Sequence, residues 1–259
     1  IGPVDADLPL PFSADDLIRS VEANAELLGF SEYVETMLVR IRTLLGDSRL
    51  RAVFGETTDE SLSDWLDTYL GGAAADSTPV TVVDLSLLPA EVVHIVTAVI
   101  ARLMLEALQR YRKLNDGQTL PTVLVMEEAH NFIMRRSSDS DSKSAQEVCA
   151  QAFERIAREG RKYGLGLVLS SQRPSELSPT VLSQCNTFLL HRLSNHTDQD
   201  LVFRLVPDNL RGLLRDLPSL PSRSAILLGW ATELPVAVEM LELPAARRPQ
   251  SNDPAFWHV

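Results

Sequence analysis

The chain has 259 residues, 45% of them hydrophobic and 23% charged, which suits one large soluble globular domain or two small ones. Its net charge of −11 is unevenly placed: residues 1–78 hold 15 Asp/Glu against 5 Arg, and the remainder hold 20 acidic against 19 basic residues. That balance excludes a generally basic nucleic-acid-binding face and leaves any DNA contact to a few local loops.

Residues 1–12 are a Pro- and Asp-rich lead-in without the basic and then apolar pattern of a signal peptide, so none is expected. Ser13 has the character of an N-cap for a run with Leu17, Ile18, Val21 and Ala25 through Leu28 at helical spacing. A second helical run, Val34, Met37, Leu38, Ile41 and Leu45, stops near Gly46. A third short helix is expected over Leu62–Leu70, ending at Gly71-Gly72, with a small-residue linker to Thr78. Residues 1–78 therefore read as an acidic helical subdomain and linker, and residues 79–243 as a separate core.

In the core, strands and helices alternate. Thr81–Leu85 reads as a buried strand, and Pro89 opens a long helix to about Lys113, apolar on most sides and expected to pack between layers. The apolar stretch Val80–Leu108 is interrupted by Asp84, Glu91, His94, Arg102 and Glu106, against a membrane span of about 20 nearly uncharged residues. Val123–Met126 is the next strand. Ser144 and Glu147 have capping-box spacing for a helix to Tyr163. Strands follow at Gly166–Ser170 and Phe188–His191, with a short helix, Pro179–Gln184, between them. Helices near Asp198–Val206 and Asn209–Leu214 precede strands at Ala225–Leu228 and Val236–Leu241. Short all-apolar strands alternating with helices predict an α/β fold, with a mostly parallel sheet and helices on both faces. Residues 244–259 are a tail ending in Phe256-Trp257 and two further residues.

The sharpest chemical feature is Val123-Leu124-Val125-Met126-Glu127-Glu128-Ala129-His130, an apolar strand ending in two carboxylates. In parallel α/β sheets the carboxyl ends of strands form the ligand crevice. One carboxylate there can hold the water shell of Mg²⁺, and the next can polarise a water attacking a γ-phosphate. Two adjacent glutamates also occur as a plain solvated turn. About forty residues on, Leu165–Leu169 ends in Ser170-Ser171-Gln172-Arg173-Pro174, a neutral amide at a strand end or simply a turn before proline. Between them, Arg158 and Arg161 lie near a helix end, where basic residues complement the macrodipole. A permanently charged guanidinium there also suits a neighbouring subunit's nucleotide.

Together, EEAHNF, EGRKYGLGLVLSSQRPSELSP and CNTFLLHRLSN, in this order, resemble the HerA-type DNA-translocating ATPases, relatives of FtsK, from about Thr81 to Leu241. The resemblance implies a RecA-like core of the ASCE P-loop class, with ATP and Mg²⁺ as cofactors. It implies Glu127 as the Mg²⁺-side acid of Walker B, acting through water, and Glu128 as the catalytic glutamate. Gln172 becomes the sensor, Arg161 the first choice of arginine finger acting in trans, and Arg158 the second. Arg192, just beyond the next strand, is a candidate cis phosphate sensor, although a plain surface arginine has the same pattern. The implied partners are double-stranded DNA, a nuclease subunit (NurA-like or another effector) and further copies in a hexameric ring, in repair, end resection or antiphage defence. The acidic helical part resembles the insertion that such ATPases carry between Walker A and Walker B.

One departure limits these implications. A phosphate loop needs G-x-x-x-x-G-K-[ST], whose backbone N–H groups and lysine cradle the phosphates. The three lysines lie in RYRKLN, SDSKSA and EGRKYG, none after such a turn. The chain thus reads as the C-terminal part of a motor, inactive alone. The alternatives are a non-hydrolysing oligomerisation or nuclease-docking module, or a conjugation- or secretion-type ATPase. Two cysteines, Cys149 and Cys185, give neither metal spacing nor a disulfide framework, and a cytoplasmic location is expected. His191 and His196 lack the acidic or Cys neighbours of a metal site. His130 is expected to pack behind Walker B. Arg135, Arg136 and the Ser/Asp-rich loop to Ser144 offer a DNA-phosphate contact, or a mobile solvated loop.

Overall fold

The computed structural model describes residues 13–46, 64, 80–86, 88–135, 144–205 and 212–244, and divides into two compact units, Ile1–Val96 and Thr97–Val259. The linker and third helix expected before residue 79, and the tail from residue 245, lie outside the described residues.

In the first unit, α1 (Ala14–Leu28) begins where Ser13 Oγ accepts the Asp16 N–H and the Asp16 carboxylate accepts the Ser13 N–H, both at 3.1 Å. Gly29, in the left-handed region, ends it, and Phe30 N–H reaches back to Ala25 O at 2.9 Å. The short turn sets α2 (Ser31–Gly46) against α1, with Ala25 and Leu38 buried and Arg42 paired with Glu22. Both helices match the sequence pattern. Thr81–Leu85 does not form the expected strand: these residues belong to no helix or strand, and Val82 is 86% exposed. None of the described strands pairs with it, and β-branched residues become a strand only where a neighbour completes the ladder. Asp84 Oδ1 instead accepts the Ser86 N–H at 2.9 Å, turning the chain.

The helix α3 (Ala90–Leu114) starts after Pro89 as expected. It buries one stripe, Ala98, Ala101, Leu105 and Leu108, in the core of the second unit, while Ile95 and Val99 are exposed. The helix was expected to be apolar on most sides and packed between layers; its Ile95 and Val99 are instead open to solvent. Residues Val92–Leu114 are long and apolar enough to cross a membrane, but the stripe packs into a protein core.

Two sheets make up the rest of the second unit. Strands β1 (Thr122–Met126) and β2 (Leu165–Leu169) pair in parallel, Thr122 opposite Leu165 and Met126 opposite Leu169. Their connection runs through α4 (Ala145–Glu159), capped by Ser144 and Glu147, then the 3₁₀ turn Gly160–Tyr163. Cys149, Ala152, Phe153 and Ile156 recur at three- and four-residue steps along α4, and all are buried. They pack with Leu124, Met126, Leu165, Leu167 and Leu169 on one sheet face. The other face presents the exposed Val123, Val125 and Val168. After α5 (Pro179–Leu182), strands β3 (Thr187–Leu190), β4 (Ser224–Gly229) and β5 (Val236–Glu239) form a three-stranded antiparallel sheet in that order. The α/β class holds, with its parallel pair at β1–β2. Strand–helix alternation did not distinguish the antiparallel direction of β3–β5, whose connections include α6 (His196–Leu205) and the 3₁₀ segment Leu213–Ser219. Val202, Leu214, Leu217, Ile226 and Leu228 give this sheet its own core.

Candidate active site

The parallel register places Glu127 and Glu128 beside Ser170–Gln172, at the carboxyl ends of β1 and β2. The ladder continues past the strands, with Ser170 N–H donating to Met126 O and Ala129 N–H to Ser170 O, each at 2.9 Å. Farther on, Ser178 N–H donates to Ile133 O at 2.8 Å and Arg135 N–H to Glu176 O at 2.9 Å. The buried Asp198, in the first turn of α6, accepts the Ser175 N–H at 2.9 Å. The two loops are thus zipped together and pinned from a third element.

Within this frame the Gln172 amide Nε2 donates to Glu128 Oε1 at 2.8 Å. Glu128 itself lies in the left-handed region (φ 48°, ψ 45°), which costs a non-glycine residue about 1–3 kcal/mol and persists where surrounding structure enforces it. Its side chain stays 46% exposed, so the carboxylate is held yet open to solvent and ligand. His130, expected to pack behind the strand end, is 13% exposed and belongs to the site: its Nδ1 lies 3.2 Å from Ser171 Oγ and 3.4 Å from Glu128 Oε2. Each oxygen of Glu128 therefore faces a different side chain. The E-x-H spacing of Glu128 and His130 was visible in the sequence; the pairing of His130 with Ser171 required the register.

Glu127 is exposed and makes no polar contact among the described residues. An uncommitted carboxylate at a strand end fits the water shell of Mg²⁺, which takes one or two protein carboxylates beside substrate phosphates. The described residues contain no cluster of three or more His, Cys, Asp or Glu able to cage a metal.

The arginines lie elsewhere. Arg158 and Arg161 precede β2, whereas Gln172 follows it; that five-residue strand spans about 13–17 Å between them. The structure therefore does not bring either arginine to the Glu128–Gln172 pair. Arg158 is exposed in the last turn of α4. The Arg161 guanidinium lies 5.4 Å from the ring centroid of Trp230, a residue the sequence reading did not single out. Arg192 opens on a separate shallow cleft of about 330 Å³ with His191, Ser222 and Arg223, and neither Glu128 nor Gln172 lines it. Arg135 is exposed, and Arg136 lies outside the described residues.

No family model matches the sequence. A probable helicase, MJECL08 of Methanocaldococcus jannaschii, is 41% identical over 120 residues, 46% of this chain and 22% of its own length. The DNA double-strand break repair helicase HerA of Pyrococcus furiosus is 35% identical over 49% of this chain and 22% of its own. That of Saccharolobus solfataricus is 32% identical over 162 residues, 62% of this chain and 31% of its own. Among solved structures, the genome packaging NTPase B204 of Sulfolobus turreted icosahedral virus 2 with ATPγS aligns at a TM-score of 0.46 and 16% identity, over 77% of this chain and 79% of that one. The chain spans well under half the length of the curated relatives it matches, from 22% to 37%. Across that shared segment, the chain is similar to HerA helicases and to a probable helicase, at 32–41% identity.

Proposed function

We propose that the full-length protein containing this chain is an ATP-driven translocase or helicase acting on double-stranded DNA, and that this segment supplies its water-activating half-site. The observation that carries the reading is the Gln172–Glu128 hydrogen bond at the paired strand ends, in a chain homologous to DNA repair helicases. MgATP supplies the γ-phosphoryl group and the metal charge. Glu128, exposed but fixed, orients and accepts a proton from the attacking water. Gln172 holds the Glu128 carboxylate without adding charge, and Glu127 offers its carboxylate to the metal's water shell. Arg161, on the opposite edge, serves the neighbouring subunit, in a ring we take as hexameric, with a nuclease subunit as partner in repair or antiphage defence in the cytoplasm. The 259 residues contain no G-x-x-x-x-G-K-[ST], and we assign the phosphate cradle to sequence outside them. Titration calorimetry of this segment alone with MgATP is expected to show no micromolar binding.

The test is DNA-stimulated ATPase activity of the full-length protein. Glu128→Gln is expected to lower kcat by about 10²–10⁴ while ATP still binds. Near-normal turnover in that variant removes the assignment of Glu128. Turnover indifferent to DNA points to a secretion-type motor, and no turnover in the wild type to a docking module.

A further inference from the structure

Arg161 and Trp230 meet from separate sheets, and each is seated by a turn with little freedom. Arg161 lies in the 3₁₀ turn between Gly160 and Gly164. A Cβ on Gly160 would come 2.8 Å from Leu165 O, and Gly164, at φ +82°, would place one 3.0 Å from Leu120 O. Trp230 follows Gly229, whose φ of +103° and close approach to Asn186 O (2.2 Å from an added Cβ) admit only glycine. Trp230 N–H then donates to Asn186 O at 2.8 Å, and Thr232 N–H to Gly229 O at 3.2 Å. The ring is nevertheless 73% exposed. A large aromatic held rigidly in solvent contributes little to the core, so its value lies in what it touches.

What it touches is a guanidinium with no ion-pair partner among the described residues. Some arginines of this unit have carboxylate partners instead: Arg155 has Glu159, Arg173 has Glu176, and Arg223 has Glu239 and Glu242; Arg112 also lies over an aromatic ring, Tyr163, at 6.0 Å. A carboxylate partner occupies N–H donors and cancels charge. An aromatic face holds the guanidinium through its π-system and leaves the five N–H donors free for an incoming oxyanion.

We propose that Trp230 is a positioning residue for Arg161, holding its guanidinium extended and unneutralised for the phosphate oxygens of a nucleotide bound by the adjacent copy of the chain. This rests on reading Arg161 as an arginine that acts in trans. Trp230 touches no reacting atom in this arrangement; it reduces the number of orientations that Arg161 must give up when the interface closes.

The experiment measures DNA-stimulated ATP turnover in the full-length protein carrying Trp230→Ala, Trp230→Phe, Arg161→Ala or Arg161→Ala with Trp230→Ala, alongside Tm and assembly size. Trp230→Ala is expected to lower kcat about 2–5-fold, the bias of an exposed cation–π contact, with KM for ATP, Tm and assembly size unchanged. Trp230→Phe, which keeps a π face, should recover most of that loss. Single-turnover rates should show no further loss when Trp230→Ala is added to Arg161→Ala. Wild-type kcat in Trp230→Ala beside a disabled Arg161→Ala overturns the role of Trp230 and leaves that of Arg161 standing. Losses that multiply in the double variant do the same. Full activity in Arg161→Ala, with Glu128→Gln inactive, overturns the trans arginine itself and the proposal with it.

Discussion

At the carboxyl end of β2, Gln172 donates to Glu128, His130 faces Ser171, and backbone hydrogen bonds zip the two loops together. At the amino end, Arg161 lies over Trp230, with no ion-pair partner among the described residues. The first edge is acidic, hydrogen-bonded and anchored from α6; the second is cationic and held by one aromatic face. On the proposed reading each is half of what phosphoryl transfer needs, since water activation and charge neutralisation must meet at one phosphate. The strand between them, at about 13–17 Å, keeps the halves apart within one chain. On that reading, the difference means that a second copy of the chain completes the site, which its own folding leaves divided.

The most severe way to break that comparison is to remove the cation. Arg161→Ala in the full-length protein is expected to lower kcat by about 10³–10⁵, the range for arginine fingers. Mixing Arg161→Ala subunits with Glu128→Gln subunits should restore activity that neither variant shows alone, because some interfaces regain both wild-type groups. Native mass spectrometry must first show that subunits exchange. Inactive mixed assemblies, with Arg158→Ala behaving alike, would return both arginines to ordinary helix-end charges.

A smaller effect is expected from the other edge. Gln172→Ala removes the donor that fixes Glu128 Oε1, and loss of a partner that orients a functional side chain costs about 10–100-fold in activity. Gln172→Glu should be no better, because it sets a second carboxylate against Glu128. If Gln172→Ala turns over normally, the hydrogen bond is a resting contact and the fixed edge is less fixed than described.

Legibility in the sequence followed the range of the forces involved. Local signals were readable: the Ser13 and Ser144 caps, the helix start at Pro89, and the apolar strands that stop at Glu127 and Ser170. That Glu127, Glu128 and Gln172 follow the ends of apolar strands was readable too; that the two strands are parallel neighbours, which brings Gln172 to Glu128, came from the register. What escaped depended on partners distant in sequence. Thr81–Leu85 has strand composition but no described strand beside it, and β3–β5 run antiparallel although their composition is the same in either direction. His130 reaches Ser171 across 41 positions. Trp230 reaches Arg161 across 69 positions, through a turn whose only sequence trace is the Gly229 before it.

The seat of Trp230 can be tested by stability rather than turnover. Gly229→Ala forces a Cβ to within 2.2 Å of Asn186 O at a backbone conformation hostile to L side chains. A loss of about 1–3 kcal/mol is expected, read as a lower Tm or urea midpoint. Gly212→Ala meets nothing within 4 Å and serves as the control, expected to change stability by at most a few tenths of a kcal/mol. Equal stability of the two variants would mean that the β4 turn yields easily and that Trp230 is not rigidly placed.

The smallest effect concerns the core that fixes the distance between the edges. Cys149 is fully buried on α4 against the β1–β2 sheet, and burial pushes its thiol from near 9 up to about 12. At pH 8 the folded thiol is then about one part in 10⁴ thiolate, and only the thiolate reacts with iodoacetamide. Mass spectrometry of the native protein should find Cys149 unmodified, with full modification in denaturant. The same shift fixes the sign of a pH effect. A thiol whose folded value is raised holds its proton longer in the folded state, so its contribution is complete below about pH 9 and is lost as pH climbs toward 12. Cys149→Ala should flatten that alkaline decline while leaving the acid side unchanged. Rapid native alkylation of Cys149 would instead show that α4 opens readily, and a core that opens cannot hold Arg161 and Gln172 at fixed ends of β2.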